Sequence, residues 1–432
     1  MEKEELFKII DSWNFWSHNI DTGIIRESYS NKLSSLFEES KIRVIIETGI
    51  RRAGKSFIAK QIAKHLINKG ISKNQILIIN LDDERFFDKN YSLLLDIYKI
   101  YKEKINPDKS SIIIIDEAQE VEGWERFVRG ISEKNEAKFI ITGSSSKLLD
   151  SEYTTLLSGR HITMYIHPLN FLEYIKFTKS ISRENSKSLN NYINEGGFPA
   201  VVLSKEKEII IKSYFDTIIL KDVIQRYRIQ KQDELIRLAR FYITSIGSKI
   251  TFNSVSKFLK ISVKTAYNFS LYLERSYLIF FIDRFSYSIK VQDNSPRKVY
   301  TIDNSFPSML GINFIEIKGR LLENTIASTL YLISKHVNNF YLYYWYENSK
   351  EVDFVINDNK KYKIIQVAYS INNQKTKDRE LSALLECANK INVNEAEVVT
   401  MDYSGEELIN GVKIKYIRAR DWIEDILKHY NF

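Results

Sequence analysis

Cysteine is nearly absent from this sequence, which has one, Cys387, among its 432 residues. A lone cysteine excludes an internal disulfide and a zinc site built from cysteines. The six histidines show no paired spacing, so a histidine-based zinc centre is not expected either. The sequence therefore predicts neither a disulfide-rich secreted domain nor a zinc enzyme.

Long apolar runs are missing as well. The longest purely aliphatic run is IIII at residues 112–115, whereas a transmembrane helix needs about 20 apolar residues. The first residues, MEKEELFKIIDSW, begin acidic and lack the apolar centre of a secretory signal. We therefore expect a cytoplasmic protein with no membrane partner.

No bias in composition marks the chain as disordered. Hydrophobic residues make up 44% and charged residues 27%, which is the balance of a soluble globular protein. The length predicts about two to four domains. A net charge of +8 favours contact with a polyanion, although a basic chain of this size can also simply be soluble.

A phosphate-binding loop follows the first predicted strand. GIRRAGKS at residues 49–56 fits the pattern G-x-x-x-x-G-K-[ST], in which backbone N–H groups point at phosphates beside a helix N-terminus. Lys55 is expected to reach the β- and γ-phosphates, and Ser56 to offer a hydroxyl to Mg²⁺. The predicted nucleotide contacts are Gly49, Ile50, Arg51, Arg52, Ala53, Gly54, Lys55, Ser56 and Phe57.

Two carboxylates end a later buried strand, SIIIIDEAQ. Asp116 is expected to hold the Mg²⁺ shell, and Glu117 to polarise the attacking water. The alternative is that both side chains only cap the following helix.

Two further residues are candidates for catalysis. Ser144, in AKFIITGSSSKLL, is expected to sense the γ-phosphate or orient water, unless this stretch is a serine-rich capping turn. Arg160 is expected to act as an arginine finger towards a neighbouring subunit, with a salt bridge inside its own domain as the alternative.

The apolar segments predict an α/β fold. The predicted strands alternate with helices and cover residues 42–47, 76–81, 112–116, 138–142 and about 161–166. This alternation predicts a doubly wound parallel sheet with the nucleotide at the carboxyl ends of its strands. An extra strand before the Asp116 strand, and Glu117 next to Asp116, resemble the additional-strand catalytic-glutamate class of P-loop ATPases.

The chain resembles archaeal and bacterial AAA-type ATPases whose C-terminal half is a domain of unknown function with a restriction-endonuclease-like fold. The matching segments run in the family's order from about residue 40 to 370: GIRRAGKS, IIIIDEAQEVEGWERFVRGI, FIITGSSSKLL, LSGRHITMYIHPLNFLEYIKF, GGFPAV, LKDVIQRYRI, VYTIDNSF, GRLLENTIA and EVDFVI. The resemblance implies nucleotide binding and says little about the biological role.

A helix-turn-helix pattern lies in the middle of the chain, after a predicted helical lid. Residues 254–260 and 264–275 are predicted as helices joined by a short turn, and an apolar hairpin-like run follows. This spacing predicts a winged helix whose second helix can enter a DNA major groove. The candidate DNA contacts are Lys257, Lys260, Lys264, Thr265 and Asn268. Winged helices also dock proteins, so a scaffold role is the alternative.

The resemblance also implies a nuclease-like site in the last domain, formed by a helix glutamate, a strand aspartate and a strand Glu-x-Lys. The first two correspond to Glu323 and Asp353, but KIIQVAYS places Gln366 and Ala368 where the family has Glu and Lys. Metal-assisted cleavage needs carboxylates and a positive group. We therefore expect a degenerate site and a domain that has lost cutting.

Four nearby lysines are considered as replacements for the missing one. Lys361 and Lys363 lie on the same predicted strand but point to its other face. Lys375 and Lys377, in the following helix, remain candidates.

These patterns predict four domains and an ATPase. The domains are an ATPase core with an N-terminal extension at 1–168, a helical lid at 169–235, a winged helix at 236–300, and a catalytically inactive restriction-endonuclease-like domain at 301–432. The predicted activity is Mg²⁺-dependent ATP hydrolysis coupled to conformational work on DNA. The alternatives are a slow ATP-dependent switch controlling protein association and an ATP-gated nuclease. A homo-oligomer and a protein partner of the C-terminal domain stay open.

Overall fold

A computed structural model describes residues 2–38, 42–107, 110–144, 161–180, 188–311 and 317–432. The chain divides into two compact units, Met1–Ile166 and His167–Phe432. The predicted ATPase boundary after residue 168 lies close to this division.

The first unit contains a five-stranded parallel sheet in the order β2-β3-β4-β1-β5. Its strands are β1 (Val44–Thr48), β2 (Ile76–Asn80), β3 (Ser111–Asp116), β4 (Ala137–Thr142) and β5 (His161–Tyr165). The strands are nearly continuous apolar runs, because helices cover both faces of such a sheet. The predicted α/β fold with a parallel sheet is confirmed.

Helices surround this sheet. They are α1 (Lys3–Asp11), α2 (Glu27–Glu38), α3 (Lys55–Asn68), α4 (Tyr91–Lys104) and α5 (Trp124–Glu133), with short 3₁₀ turns at Lys73–Gln75 and Ala118–Glu120. The apolar face of α3 is buried through Ile58, Ile62 and Leu66, as its helical spacing predicts.

The N-terminal extension is bound to the edge of the sheet. The side chain of Asn14 accepts a 2.7 Å hydrogen bond from Ile78 N and donates a 2.9 Å bond to Ile78 O. An edge strand exposes unpaired backbone groups, and Asn14 satisfies both groups of this residue in β2. Residues 2–16 are therefore part of the first unit's fold.

Helices precede and surround the sheet of the second unit. They are α6 (Phe171–Ser180), α7 (Leu189–Glu195), α8 (Pro199–Leu203), α9 (Lys207–Thr217) running into a π-helix (Ile218–Gln225), α10 (Gln232–Thr244), α11 (Phe252–Leu259), α12 (Val263–Arg275), α13 (Ile289–Asn294), α14 (Ser305–Leu310), α15 (Ile317–His336), α16 (Gln374–Ile391) and α17 (Ala419–His429). Side-chain caps begin the helix pair α11–α12: Thr251 accepts from Ser254 N, and Ser262 accepts from Thr265 N.

The second unit has a nine-stranded sheet in the order β13-β14-β12-β11-β10-β9-β7-β8-β6. Its strands are β6 (Lys249–Ile250), β7 (Ile279–Arg284), β8 (Arg297–Thr301), β9 (Phe340–Glu347), β10 (Lys350–Asp358), β11 (Lys361–Ala368), β12 (Glu395–Thr400), β13 (Gly405–Ile409) and β14 (Val412–Arg418). Strands β7 and β9 pair in parallel, with Asp283 opposite Tyr343. This pairing joins the strands after α12 to those of the C-terminal region.

Two features show how residues 169–432 form one unit. The predicted boundary between residues 300 and 301 falls inside β8, which pairs with β7 and β6. Gly197, in the predicted lid, donates a 2.6 Å hydrogen bond from its N–H to Asp303 Oδ2, and Asn304 donates to Ile193 O. Strand pairing and polar contacts therefore cross both of the predicted domain boundaries within this unit. Its division into three domains stays a prediction.

Candidate functional site

Two glycines shape the phosphate loop. Gly49 has φ +142°, and a Cβ there would lie 2.1 Å from the carbonyl oxygen of Ile166. Gly54 has φ +100° and precedes α3 as its N-cap. Residues that carry a side chain rarely adopt such backbone conformations, which explains why glycine stands at both ends of the loop.

Lys55 is buried within this loop. Its ammonium donates to Gly49 O at 3.0 Å and to Ile50 O at 2.9 Å, and its side chain lies at the N-terminus of α3. A positive side chain beside a helix N-terminus forms an anion site. This arrangement matches the predicted phosphate-binding role.

Ser56 and Asp116 meet although they come from different elements. Ser56 Oγ donates a 2.8 Å hydrogen bond to Asp116 Oδ1. A hydroxyl and a carboxylate are the hard oxygen ligands that Mg²⁺ prefers. These two residues therefore fit the metal role predicted for them.

Thr142 is one of the polar residues at the end of β4, among which Ser144 is the predicted catalytic residue. Its hydroxyl donates to Asp116 Oδ1 and accepts from the backbone N–H of Glu117 at 3.1 Å. Because β4 lies next to β3, the last residue of one strand reaches the end of the other. The sequence indicated this contact only by placing Thr142 at the carboxyl end of a strand predicted to run parallel to the strand that ends in Asp116.

Glu117 is held in a specific conformation. Its backbone is left-handed, with φ 55°, and its Oε2 accepts a hydrogen bond from Gln119 Nε2. Gln119 lies in the 3₁₀ turn Ala118–Glu120 rather than in a regular α-helix. A non-glycine residue with this backbone is uncommon, and here it follows the strand that carries Asp116.

The acidic groups of this site have shifted pKa values. Burial and the neighbouring Glu117 raise the pKa of Asp116, while hydrogen bonds from Thr142 and Ser56 lower it. Burial and Asp116 raise the pKa of Glu47 well above its usual value. Neither carboxyl oxygen of Glu47, at the end of β1, has a hydrogen-bond partner among the described residues. The sequence analysis missed this carboxyl, whose signal was an acidic residue within an apolar strand.

The other predicted nucleotide residues take varied positions. Ile50 and Ala53 are fully buried, and Ala53 O accepts a 2.8 Å bond from Arg26. Arg52 is exposed with φ 71°, and the Phe57 side chain is 43% exposed.

The structure places the predicted catalytic Ser144 beside Arg51. It is fully buried, and its Oγ accepts a 3.4 Å hydrogen bond from Arg51. Thr142 occupies the position next to Asp116 and Glu117 instead, because it lies two residues nearer the strand end. Arg160 lies outside the described residues, so its predicted role stays a prediction.

The predicted DNA-binding side chains lie on the helix pair α11–α12. Lys257, Lys260 and Lys264 are exposed, whereas Thr265 and Asn268 are half-buried. Thr265 Oγ1 is 2.8 Å from Ser262 Oγ, within the cap of α12. The three lysines thus form the exposed basic part of this surface.

The predicted residues of the degenerate nuclease site lie in the second unit. Two of them, Gln366 and Ala368, lie on β11 at the positions where the family has Glu and Lys. Gln366 Oε1 accepts from Asp353 N at 3.1 Å, and its amide donates to Glu380. Ala368 ends β11 and is buried.

A lysine does lie in this cluster, and sequence reasoning missed it. The ammonium of Lys298, on β8, lies 3.0 Å from Glu323 Oε1 and 2.8 Å from Asp353 Oδ1. The replacements considered from sequence lie elsewhere: Lys361 and Lys363 are exposed on β11, and Lys377 pairs with Glu407. The side chain of Lys375 is outside the described part. A lysine within the buried strand RKVYT was the available signal.

Within 2–38, 42–107, 110–144, 161–180, 188–311 and 317–432, no helix is long and apolar enough to cross a membrane. The same residues contain no group of three or more His, Cys, Asp or Glu side chains placed to hold a metal ion.

Three family descriptions match consecutive parts of the chain. Residues 41–175 match an AAA domain, residues 186–314 match a domain of unknown function (DUF8612), and residues 318–418 match another (DUF4143). The first match confirms the predicted AAA-type P-loop domain.

Curated relatives cover most of the chain. It is 33% identical over 385 residues to "Uncharacterized protein MJ1544" of Methanocaldococcus jannaschii, spanning 85% of this chain and 83% of that protein. An "Uncharacterized protein" of Haemophilus influenzae is 29% identical over 414 residues, covering 93% of this chain and 98% of that one.

A solved structure of the Aeropyrum pernix ORC1 protein in complex with DNA is 11% identical, with a TM-score of 0.31, over 74% of this chain and 97% of that one. At that score, the likeness supports no conclusion about either unit.

Proposed function

This chain belongs to the family of the Methanocaldococcus jannaschii protein MJ1544 and carries an AAA domain, and from this premise we propose that it is a Mg²⁺-dependent ATPase that performs conformational work on DNA. The observation that carries the proposal is the convergence of the phosphate loop and the β3 carboxylates. Ser56 is 2.8 Å from Asp116, and Glu117 follows at the same strand end. We place this activity in the cytoplasm.

The roles of the site residues follow from their chemistry. The loop N–H groups and Lys55 would bind the β- and γ-phosphates. Ser56 and Asp116 would hold Mg²⁺, which when bound would supply positive charge to the phosphoryl group. Glu117 accepts the proton of the attacking water. Thr142 orients the Asp116 carboxylate through its hydroxyl and holds the backbone N–H of Glu117 at 3.1 Å. The strand order supports membership of the additional-strand class, because β4 separates β1 from β3.

The DNA partner is proposed from charge and local fold. The helix pair α11–α12 is followed by strands β7 and β8, which is the order of a winged helix. Lys257, Lys260 and Lys264 are exposed at its turn, and exposed lysines suit phosphate contacts. The net charge of +8 acts in the same direction.

Steady-state ATP hydrolysis tests this proposal. The full chain is assayed with Mg²⁺ and with single-stranded, duplex or branched DNA over a range of salt concentrations. We expect one DNA form to stimulate hydrolysis, with a stimulation that falls as salt rises. Replacing Lys257, Lys260 and Lys264 by alanine should remove the stimulation and leave the basal rate unchanged.

A matched variant controls for the loss of surface charge. Lys360, Lys361 and Lys363 are also exposed and also lie in the second unit. Their joint replacement by alanine should leave DNA stimulation intact. Equal loss in both variants would show a general charge effect and would contradict the α11–α12 assignment.

A second candidate function is a nucleotide-dependent switch. The held position of Glu117, bound by Gln119, favours slow turnover, because a general base must be free to contact water. Such a switch would hydrolyse slowly with every DNA and would change its association with itself or with a protein partner of the C-terminal region. Size-exclusion chromatography with ATP and ADP separates the two functions.

The proposed arginine finger has its own test. Arg160→Ala chains are mixed with Lys55→Ala chains, each inactive alone. Restored hydrolysis would support a finger acting between subunits of a homo-oligomer. The absence of restoration would assign Arg160 a role within its own chain.

The last part of the chain is proposed to be a restriction-endonuclease-like domain without cutting activity. Glu323 and Asp353 converge on one ammonium, which supports the expected placement of the helix glutamate and the strand aspartate. Gln366 and Ala368 supply neither a carboxylate nor a cation. The alternative of an ATP-gated nuclease predicts Mg²⁺-dependent DNA cleavage that requires ATP, which a nicking assay measures.

A further inference from the structure

Lys298 lies at the centre of an acidic cluster. Its side chain is 1% exposed, and its ammonium is 3.0 Å from Glu323 Oε1, 2.8 Å from Asp353 Oδ1 and 2.7 Å from Glu351 Oε1. A lysine ammonium has three N–H donors and no acceptor. Each donor can therefore be matched by its own carboxylate.

The fold brings these groups together from separate elements. Lys298 comes from β8, Glu323 from α15, and both Glu351 and Asp353 from β10. The pairing of β10 with β9 shifts register between Val352 and Val355. Such bulges redirect side chains and are frequent beside functional sites.

An oxygen of each carboxylate in the cluster also contacts a group other than Lys298. Asp353 Oδ2 accepts from Val367 N at 3.0 Å, and Glu351 Oε2 is 2.7 Å from the Lys249 ammonium. Glu323 Oε1 also accepts a 2.6 Å bond from the Tyr300 hydroxyl. A divalent cation needs such oxygens with their lone pairs free.

Backbone closes one side of the cluster. A Cβ at Gly247 would lie 3.0 Å from Glu323 Oε2, so the main chain lies against this carboxyl group. Gln366 is turned away from a ligand role, because its oxygen accepts from Asp353 N and its amide donates to Glu380. The Glu323 and Asp353 side of the cluster is therefore largely enclosed, with side chains that are 16% and 8% exposed.

The ammonium is held in its charged form. Burial opposes the charge, but Asp353, Glu323 and Glu351 outweigh it and raise the pKa of Lys298 well above its usual value. Removing one partner of a buried ion pair leaves uncompensated charge and is strongly unfavourable. The Lys298 ammonium therefore supplies positive charge at the point where the three carboxylates meet.

We propose that the Lys298 ammonium is the resident cation of the Glu323–Glu351–Asp353 cluster and fills the place of a divalent metal, so that this site binds a metal only when Lys298 is removed. A resident ammonium in this place would also prevent metal-assisted cleavage, independently of Gln366 and Ala368.

Mn²⁺ binding to the full chain without nucleotide tests the proposal. Free and bound Mn²⁺ are separated by electron paramagnetic resonance. Asp353→Asn alone should not change the amount of Mn²⁺ that the chain binds, because the wild-type cluster holds none. Lys298→Met should bind a single Mn²⁺, and adding Asp353→Asn to it should abolish that binding.

A neighbouring lysine provides the matched control. Lys249 pairs with Glu351 but is not the residue that links all three carboxylates. Lys249→Met should therefore not create a Mn²⁺ site. Binding in Lys249→Met equal to that in Lys298→Met would overturn the proposal, because any loss of positive charge would then suffice.

Two further measurements keep the proposal testable if Lys298→Met unfolds. Refolding of that variant by Mn²⁺ would support it, as would Mn²⁺ binding to the charge-matched double variant Lys298→Met/Glu351→Gln. A folded variant that binds no Mn²⁺ would refute it. DNA cleavage by the wild-type chain with Mn²⁺ would also refute the proposal if Lys298→Met abolished it, because Lys298 would then be a catalytic residue.

Discussion

The hydroxyl of Ser56 donates a 2.8 Å hydrogen bond to Oδ1 of Asp116, which is 60 residues later in the sequence. This bond links the start of α3 to the end of β3. Both oxygens are of the kind that Mg²⁺ prefers as ligands, so this contact places the two proposed metal ligands side by side.

Replacing Glu117 by glutamine should separate nucleotide binding from hydrolysis. The amide cannot accept a proton from water, so kcat should fall by roughly 100-fold or more while ATP affinity is unchanged. Phosphate release and equilibrium binding of a fluorescent ATP analogue measure the two quantities. Glu120→Gln, at an exposed position three residues later, is the control and should keep full activity. Hydrolysis retained in Glu117→Gln would remove Glu117 from its assigned role.

Thr142→Val and Ser144→Ala distinguish two positions at the end of β4. Valine removes the hydroxyl between Asp116 and Glu117 and leaves a buried N–H without its acceptor, at a cost of about 1–3 kcal/mol. We expect Thr142→Val to lower both kcat and the unfolding midpoint. Ser144→Ala removes the hydroxyl that accepts a 3.4 Å hydrogen bond from Arg51, and it should have a smaller effect on kcat. A larger loss of kcat in Ser144→Ala than in Thr142→Val would instead support Ser144 as the residue that senses the γ-phosphate.

Glu47→Gln should change how stability depends on pH. The pKa of Glu47 is raised well above 4.5 in the fold by burial and Asp116, so the folded chain keeps this proton at pH values where the unfolded chain has lost it. The stabilisation from protonation is complete below pH 4.5 and is lost as pH rises towards the folded pKa. Glutamine cannot ionise and removes this dependence.

The stability of Glu47→Gln relative to wild type should therefore increase as the pH rises above 4.5 towards the raised pKa of Glu47. Chemical denaturation across this range measures it, with the exposed Glu122→Gln as control. A constant difference between variant and wild type would show that Glu47 does not hold its proton in the fold.

Gly196→Ala should destabilise the second unit. Gly196 has φ +73°, and a Cβ would lie 1.9 Å from Asp303 Oδ1. We expect a loss of roughly 2–5 kcal/mol from backbone strain and overpacking, measured by chemical denaturation. Gly319→Ala is the matched control, because it lies in α15 of the same unit and its Cβ would meet only Tyr369 Cβ at 3.9 Å. That variant should be neutral or gain up to about 1 kcal/mol. Equal losses would contradict the steric argument.

Local sequence patterns were sufficient for the nucleotide site. The phosphate loop, the strand SIIIID and the apolar face of α3 are each encoded within a short segment. Their chemistry could be read without knowing the sheet order, since parallel strands bring their carboxyl ends to one edge. For this reason the positions of Lys55, Ser56 and Asp116 could be predicted.

Contacts between distant segments could not be read in this way. Thr142 and Ser144 are both polar residues after an apolar run, and only the pairing of β3 with β4 decides which one meets Asp116. Lys298 precedes Asp353 by 55 positions, and no local pattern relates a lysine in one strand to a bulge in another. The parallel pairing of β7 with β9 is likewise a tertiary property.

The close fit of Gly49 against Ile166 has a mechanical consequence. Ile166 is the last residue of the first unit, and its N–H donates a 2.7 Å hydrogen bond to Thr48 O, immediately before the loop. With no space for even one extra carbon atom at Gly49, the loop cannot shift towards Ile166 without pushing it. A movement of the phosphate loop would therefore be passed directly to the backbone that follows β5.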